Sequence, residues 1–352
     1  MTDAKINYKY LDVARGLALL LVITSHAHGL NRFLIYYYIQ IFFIISGYTY
    51  RQGCYQYREI IKKKARRLLI PYFGYSAMLW CFYMVIRKDG EMMKKSLFGI
   101  LYSRFCLYKT TNEDNVYLLD IANGAMWYLT AFFMTSLLFY LIVDKCLADK
   151  KKCILIIVIL LVITGGFNEL PILLPWSIDI VAIATVLMLC GAILRKRNFF
   201  EQSIPIWMIV VTVVVYMCTV EVNGRLNMSI REYGRFEMFS IPFFLIISVT
   251  GSILCIWMSK WVQNTFIGTF LSYLGTHTIE LLCLHMVVLE IFQVITEKFI
   301  DVNDFSGVAE CLYVLVRVTV AVSVSLIAGR MISWVTGRIK LKKWKEKKEI
   351  RA

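Results

Sequence analysis

The sequence is poor in charged residues and has none of the paired cysteine motifs that bind metals. Only 18% of its 352 residues are charged, whereas 59% are hydrophobic, and the mean hydropathy is +0.64. This composition excludes an ordinary soluble domain and indicates an integral membrane protein. The ten cysteines include no CxxC pair and no Cys/His cluster, so the sequence predicts neither a metal site nor a redox centre.

The sequence also lacks a long soluble segment and a cleavable signal pattern. Its longest stretch of mixed polarity, 87–124, is too short for an ordinary independent domain, so we interpret 1–352 as one membrane domain with a basic tail at 336–352. Asp12 and Arg15 interrupt the first apolar run, which favours an uncleaved first span. The net charge of +15 lies in basic clusters beside apolar runs, which is typical of membrane orientation and lipid contact. No nucleic acid partner is expected.

Apolar runs predict an all-α polytopic bundle of about ten transmembrane helices. The side that holds the N-terminus carries 25 of the 39 Lys and Arg residues and the opposite side carries 11. Because cytoplasmic loops are enriched in Lys and Arg, both termini are expected in the cytoplasm. The predicted spans are 11–30, 33–50, 68–86, 125–143, 153–167, 176–194, 204–221, 237–258, 273–297 and 311–335.

The first span, LDVARGLALLLVITSHAHGL, carries three ionisable groups that anchoring does not require. Arg15 and His26 are three helical turns and about 20° apart, so they share one face at levels separated by ~16 Å. Asp12, three residues before Arg15, is placed to pair with it. These three residues are the candidate catalytic group, and His28 points about 160° away from His26.

Two motifs near the cytoplasmic side are candidates for binding a phosphorylated donor. Ser46 and Gly47 place a small, hydrogen-bonding break at the end of the second span, although helix packing through a small residue explains them equally well. Arg66 and Arg67 lie at the hydrocarbon boundary, where paired guanidinium groups suit phosphate oxygens. The alternative for this basic run is a positive-inside flank that contacts anionic lipid.

Three residues near the opposite side are candidates for binding the acceptor. Trp127 and Trp176 open the fourth and sixth spans, where an aromatic-belt residue is the usual explanation and stacking on a sugar ring the rarer one. Asp179 lies one turn into hydrocarbon, and Asp does not snorkel as Lys or Arg does.

The ninth and tenth predicted spans carry further ionisable residues. Glu280 and His285 are about 140° apart around a helix, so they do not share one narrow face. Pairing with other spans is the expected role of this group, with Glu280 and His285 held as reserve site candidates and His285 as the catalytic one. Arg317 and Arg330 are interpreted as snorkelling toward the two surfaces.

Several of these motifs together resemble the acyltransferase-3 family of bacterial integral membrane acetyltransferases, and in particular its fucose 4-O-acetylase-like branch. The resemblance covers nearly the whole chain, and two departures from the family are relevant. TAFFM follows the Trp-x-Leu element where many relatives have a Glu, and no fused esterase-like domain is present. The motifs, in order, are Arg15 and His26 with ten residues between them, FFIISGY at 42–48, RRLLIPYF at 66–73, WYL at 127–129, WSIDI at 176–180 and SYLGTHTIELLCLH at 272–285.

The resemblance implies a multi-pass enzyme of the bacterial inner membrane. It implies transfer of an acetyl group from acetyl-CoA, a co-substrate rather than a bound cofactor, to a hydroxyl of an envelope glycan or a lipid-linked sugar. Arg15 and His26 are implied to be essential, and Arg66 and Arg67 to bind the donor. A transporter or flippase for a glycan or anion is the competing hypothesis, since polar residues in a bundle suit it equally. The sequence has no internal repeat that would favour it.

Overall fold

The computed structural model describes residues 8–53, 56–109, 115–119, 121–235, 239–300 and 306–349, without the side chains of residue 333 and residues 335–349. In these ranges the protein is helical, and its only β-type pairing is three isolated bridges in loops. The helices are α1 Lys9–Ala27, α2 Arg32–Ile35, α3 Gln40–Tyr48, α4 Tyr57–Arg87, α5 Gly90–Tyr102, α6 Trp127–Ala148, α7 Lys150–Asn168, α8 Val181–Lys196, α9 Ile206–Asn223, α10 Ser240–Val262, α11 Phe266–Thr276, α12 Thr278–Thr296 and α13 Val308–Glu349.

Nine helices in the described part of the chain are long and apolar enough to cross a membrane. They are α1, α4, α6, α7, α8, α9, α10, α12 and the first part of α13, and their presence confirms the predicted polytopic bundle. Helix α8 lies at its centre, since 78% of the most apolar window of its span is buried, against 17% for α7 and for α9. Apolar side chains exposed on α7 and α9 suit contact with lipid.

The predicted second span, 33–50, is not one continuous helix. It divides into α2 and α3, with a turn at 36–39 between them. A continuous helix would use the Phe33 carbonyl to accept the N–H of Tyr37. Here that carbonyl accepts a hydrogen bond from the hydroxyl of Tyr216 on α9, at 2.8 Å. An interhelical contact therefore stabilises the break, and an apolar run alone does not reveal it.

The predicted ninth span, 273–297, is also divided, because α11 ends at Thr276 and α12 begins at Thr278. Helix α11 packs backbone to backbone against α1. A Cβ on Gly16 would lie 1.8 Å from the Leu271 carbonyl oxygen, and one on Gly275 would lie 1.9 Å from the Asp12 carbonyl oxygen. Only glycine permits this approach at both positions. The pair fixes the polar face of α1 beside the junction of α11 and α12.

Candidate active site

Arg15 and His26 lie toward opposite ends of α1. We therefore refer to the two ends of the bundle as the Arg15 end and the His26 end. Arg15 is half-buried, and its Nη1 donates to the Asp12 Oδ1 at 2.7 Å, which is the pairing that their spacing predicts. A charge-assisted bond of this kind fixes the guanidinium and partly compensates its charge. Arg15 also lines a cavity.

This basic cavity has a volume of about 360 Å³ and is lined by residues of α1, α3, α4, α6, α11 and α12. Its cations are Arg15, Lys63, Lys64 and Arg67, and none of the described residues that line it is acidic. Three of these cations, Arg15, Lys64 and Arg67, lie close enough to repel one another. Such an arrangement is stabilised by an anionic ligand, because each positive charge is otherwise only partly compensated.

One face of α4 supplies most of the cations. Ile60, Lys63, Lys64 and Arg67 line the cavity at helical spacing, whereas Arg66 lies outside the lining. Of the two arginines predicted to bind the donor, only Arg67 thus lines the cavity. Lys63 and Lys64 were missed by sequence reasoning, although the helical period through Arg67 identifies them. Lys64 Nζ also lies over the rings of Phe132 and Tyr140, at 5.0 and 5.8 Å from their centroids.

The structure also separates Ser46 from Gly47. Ser46 lines the basic cavity, and its carbonyl accepts from the Thr49 hydroxyl at 3.0 Å. Gly47 instead packs against α8, where an added Cβ would lie 1.8 Å from the Met188 carbonyl oxygen. The contact is reciprocal, because a Cβ added to Gly191 would lie 2.0 Å from the Ile44 carbonyl oxygen. Gly47 therefore sets the distance between α3 and α8.

A second, smaller cavity lies at the His26 end. This histidine pocket has a volume of about 40 Å³, and both His26 and Trp127 line it. His26 is exposed and Trp127 is half-buried. The histidine pocket and the basic cavity share one wall, formed by Phe42, Tyr128, Thr278 and Leu282. A single layer of side chains from α3, α6 and α12 therefore separates the two cavities.

His285 on α12 lies beside His26, with ring centroids 5.3 Å apart. Its Nδ1 lies 2.8 Å from the Leu281 carbonyl oxygen, which only accepts, so Nδ1 carries the proton and Nε2 carries a lone pair. That Nε2 is buried without a hydrogen-bond partner among the described residues. Glu280, the other reserve candidate, packs against Gly329 of α13 instead. His285 thus lies beside α1, whereas Glu280 lies beside α13.

Arg317 is not a snorkelling residue. Its Nη1 donates to the carbonyl of Ala27, the last residue of α1, and its Nη2 donates to Gln293 Oε1, both at 2.6 Å. The carbonyls of the last helical turn lack intrahelical donors, and a cation there is favourable. Arg317 therefore holds the end of α1 that carries His26. The sequence signal is weak, since Arg317 resembles any cation near a span end.

Trp176 and Asp179 lie outside both cavities. Trp176 Nε1 donates to the Leu101 carbonyl at 2.9 Å, and its ring packs near Phe73, at 6.2 Å between centroids. Asp179 is fully buried, where its carboxylate binds Arg104 through Oδ1 and lies 3.2 Å from Arg231 Nε through Oδ2. The two arginines therefore bind the Asp179 carboxylate, which the sequence had predicted to bind an acceptor.

Arg104 and Arg231 also bind backbone carbonyls, and with Asp179 they form what we call the outer cap. Arg104 binds the carbonyls of Leu174 and Ser229, at 3.1 and 2.5 Å. Arg231 binds those of Leu170 and Ile172, at 2.6 and 3.0 Å. Burial lowers the pKa of Arg104 from its ordinary value, and the Asp179 carboxylate opposes that change. The cap joins three loops at the His26 end.

The protein is thus a helical membrane bundle that contains a cationic cavity and a histidine pocket. The family model described as an acyltransferase domain, acyltransferase-3, matches residues 8–330. The chain belongs to this family, and the protein is a multi-pass membrane acyltransferase. The enzyme assignment decides against the transporter hypothesis. Neither the curated proteins nor the solved structures include a match to the chain.

Proposed function

We propose that this protein transfers an acetyl group from acetyl-CoA to a hydroxyl of an envelope glycan or a lipid-linked sugar in the bacterial inner membrane. The observation that carries the proposal is the wall that the basic cavity and the histidine pocket share. A donor that enters at Arg15 and an acceptor that enters at His26 meet across one layer of side chains. The two substrates then arrive from opposite faces of the membrane.

The basic cavity suits the donor. Its four cations, Arg15, Lys63, Lys64 and Arg67, match the phosphate groups of acetyl-CoA, which cannot enter hydrocarbon. The pantetheine arm is slender, and the ~16 Å between the levels of Arg15 and His26 is a distance that it spans. The excess of Lys and Arg at this end agrees with a cytoplasmic donor.

In the proposed reaction neutral His26 acts as the general base. It takes the proton of the acceptor hydroxyl while the oxygen attacks the thioester carbonyl, so a C–O bond forms and the C–S bond breaks. The CoA thiolate leaves and receives that proton from the His26 imidazolium. General-base assistance of this kind contributes roughly 10² to 10⁴-fold to the rate.

Three further residues position the reacting groups in this proposal. Arg15, held by Asp12, orients the donor. His285 presents the Nε2 lone pair to an N–H of His26, because that atom is buried and has no other partner among the described residues. A buried acceptor left unpaired costs about 1–3 kcal/mol, which favours its being paired in the reacting complex.

The sugar acceptor is proposed from Trp127 and from the resemblance to the fucose 4-O-acetylase-like branch. Trp127 lines the histidine pocket, where an indole face suits stacking on a sugar ring. The acceptor hydroxyl would then reach His26 from the extracytoplasmic face or the outer leaflet.

Inside-out vesicles test the proposal. With radiolabelled acetyl-CoA added outside, acceptor sealed in the lumen should become acetylated, and vesicles that carry His26→Ala should transfer no label. Labelling only of acceptor on the same side as the donor would contradict entry from opposite faces. Equal labelling by the His26→Ala vesicles would contradict the general base.

A further inference from the structure

A third cavity lies at the Arg15 end, away from the proposed active site. Its volume is about 290 Å³, and it lies between the start of α9 and the end of α10. Gln202 and Ser203 line one side, and Trp257, Lys260 and Trp261 line the other. None of these five residues lines the basic cavity or the histidine pocket.

Trp257, which lines this cavity, has an unused hydrogen-bond donor. The side chain is 3% exposed, and its Nε1 has no hydrogen-bond partner among the described residues. Indole nitrogen only donates, so the missing partner is an acceptor. Leaving such a donor buried and unpaired costs about 1–3 kcal/mol, which an oxygen-bearing ligand would recover.

The positive charge of Lys260 favours an anionic ligand in the cavity. Lys260 Nζ donates to the Phe200 carbonyl, which leaves further ammonium donors for a ligand. Lys260 and Trp257 are three residues apart on α10, so they lie on one face. The cavity also adjoins the N-terminus of α9 at Ile206, where backbone N–H groups and the helix dipole favour negative charge.

The residues around the cavity suit contact with a lipid. Trp261 lines it and is 69% exposed, and Ile206 and Trp207 beside it are 79% and 67% exposed. Tryptophan at the level of the headgroups is typical of a membrane interface, and the exposed face of α9 offers apolar surface to acyl chains. We propose that this cavity binds the phosphate group of an anionic phospholipid in the leaflet at the Arg15 end. The proposal does not depend on the acyl-transfer chemistry.

Native mass spectrometry of the full-length protein, titrated with phosphatidylglycerol, tests this site. Trp257→Phe removes the donor but keeps a ring against Phe199, on which Trp257 now stacks at 5.9 Å. Lys260→Met removes the charge. Each variant should bind phosphatidylglycerol about tenfold more weakly than the wild type. Lys196→Met is the matched control, because Lys196 Nζ also binds a carbonyl, that of Leu147, but lies outside the cavity.

Competition separates the possible sources of phosphate. Wild-type protein should prefer phosphatidylglycerol to phosphatidylcholine, and neither inorganic phosphate nor acetyl-CoA should displace the bound lipid. Displacement by either soluble phosphate would show that the cavity binds a free anion and would overturn the lipid assignment. Equal binding of both lipids by the wild type, or unchanged binding by a folded Trp257→Phe variant, would also overturn it. If a variant fails to fold, the preference of the wild type for phosphatidylglycerol over phosphatidylcholine still tests the proposal.

Discussion

Arg317 Nη1 donates to the backbone carbonyl of Ala27, the residue after His26, at 2.6 Å. The same guanidinium donates to Gln293 on α12, so α12 and α13 together hold the last turn of α1. Two other helices therefore add to the local capping of α1, in which the backbone N–H groups of His28 and Gly29 donate to the Thr24 and Ser25 carbonyls. This arrangement makes Arg317 a positioning residue for the histidine.

Replacing Arg317 should separate positioning from donor binding. Arg317→Gln should lower kcat by up to roughly 10²-fold, because a displaced base loses its alignment, while the KM for acetyl-CoA changes little. Arg317→Lys should recover part of the loss, since an ammonium still donates to one carbonyl. Arg330→Gln is the control, because Arg330 lies over the Tyr273 ring at 5.4 Å and not at Ala27. A rise in KM with unchanged kcat would rule out this role.

His26→Ala should lower acetyl transfer by about 10² to 10⁴-fold in the steady-state assay, because the proposed general base is removed. His28→Ala should stay close to wild type. His28 is exposed, and its Nε2 lies 3.0 Å from Glu310 Oε1, away from the histidine pocket. If His26→Ala kept activity within about threefold of wild type, another group would have to be the base.

Arg67 and Arg66 offer a matched pair on one helix. Arg67→Gln should raise the KM for acetyl-CoA about tenfold or more, since it removes a cation from the basic cavity, and Arg67→Lys should have a weaker effect. Arg66→Gln carries the same change of charge outside the cavity and should leave the KM unchanged. Equal effects of the two Gln variants would indicate a general role in membrane orientation instead.

Asp179→Asn should destabilise the protein. Removing one partner of a buried charge cluster costs about 3–5 kcal/mol, so the variant should unfold at a lower temperature and accumulate less in the membrane. Glu221→Gln, which breaks the exposed pair with Arg32, is the control and should cost about 0–1 kcal/mol. A stable Asp179→Asn protein with weakened use of acceptor alone would instead support the acceptor-binding role predicted from the sequence.

Periodicity along one helix predicts which of its residues share a face, whereas contacts between distant segments could not be predicted. The spacing of Arg15 and His26 indicates one face of α1, whereas the predicted pair Arg66 and Arg67 did not anticipate that only Arg67 lines the basic cavity with Lys63 and Lys64. By contrast, the partners of Asp179 and the break at Phe33 depend on residues of other helices and loops. Periodicity within a segment contains no information about such partners.

The outer cap also sets an order of events during biosynthesis. Arg104 binds the Ser229 carbonyl, 125 positions later in the chain, and Arg231 follows that residue. A nascent chain that has passed Asp179 but not yet reached Arg231 lacks one of the two cations that bind the carboxylate, and burying an incomplete charge set is costly. The three loops therefore lock together only after the turn that follows α9 has been synthesised. Synthesis of α1 to α9 thus precedes closure of the cap.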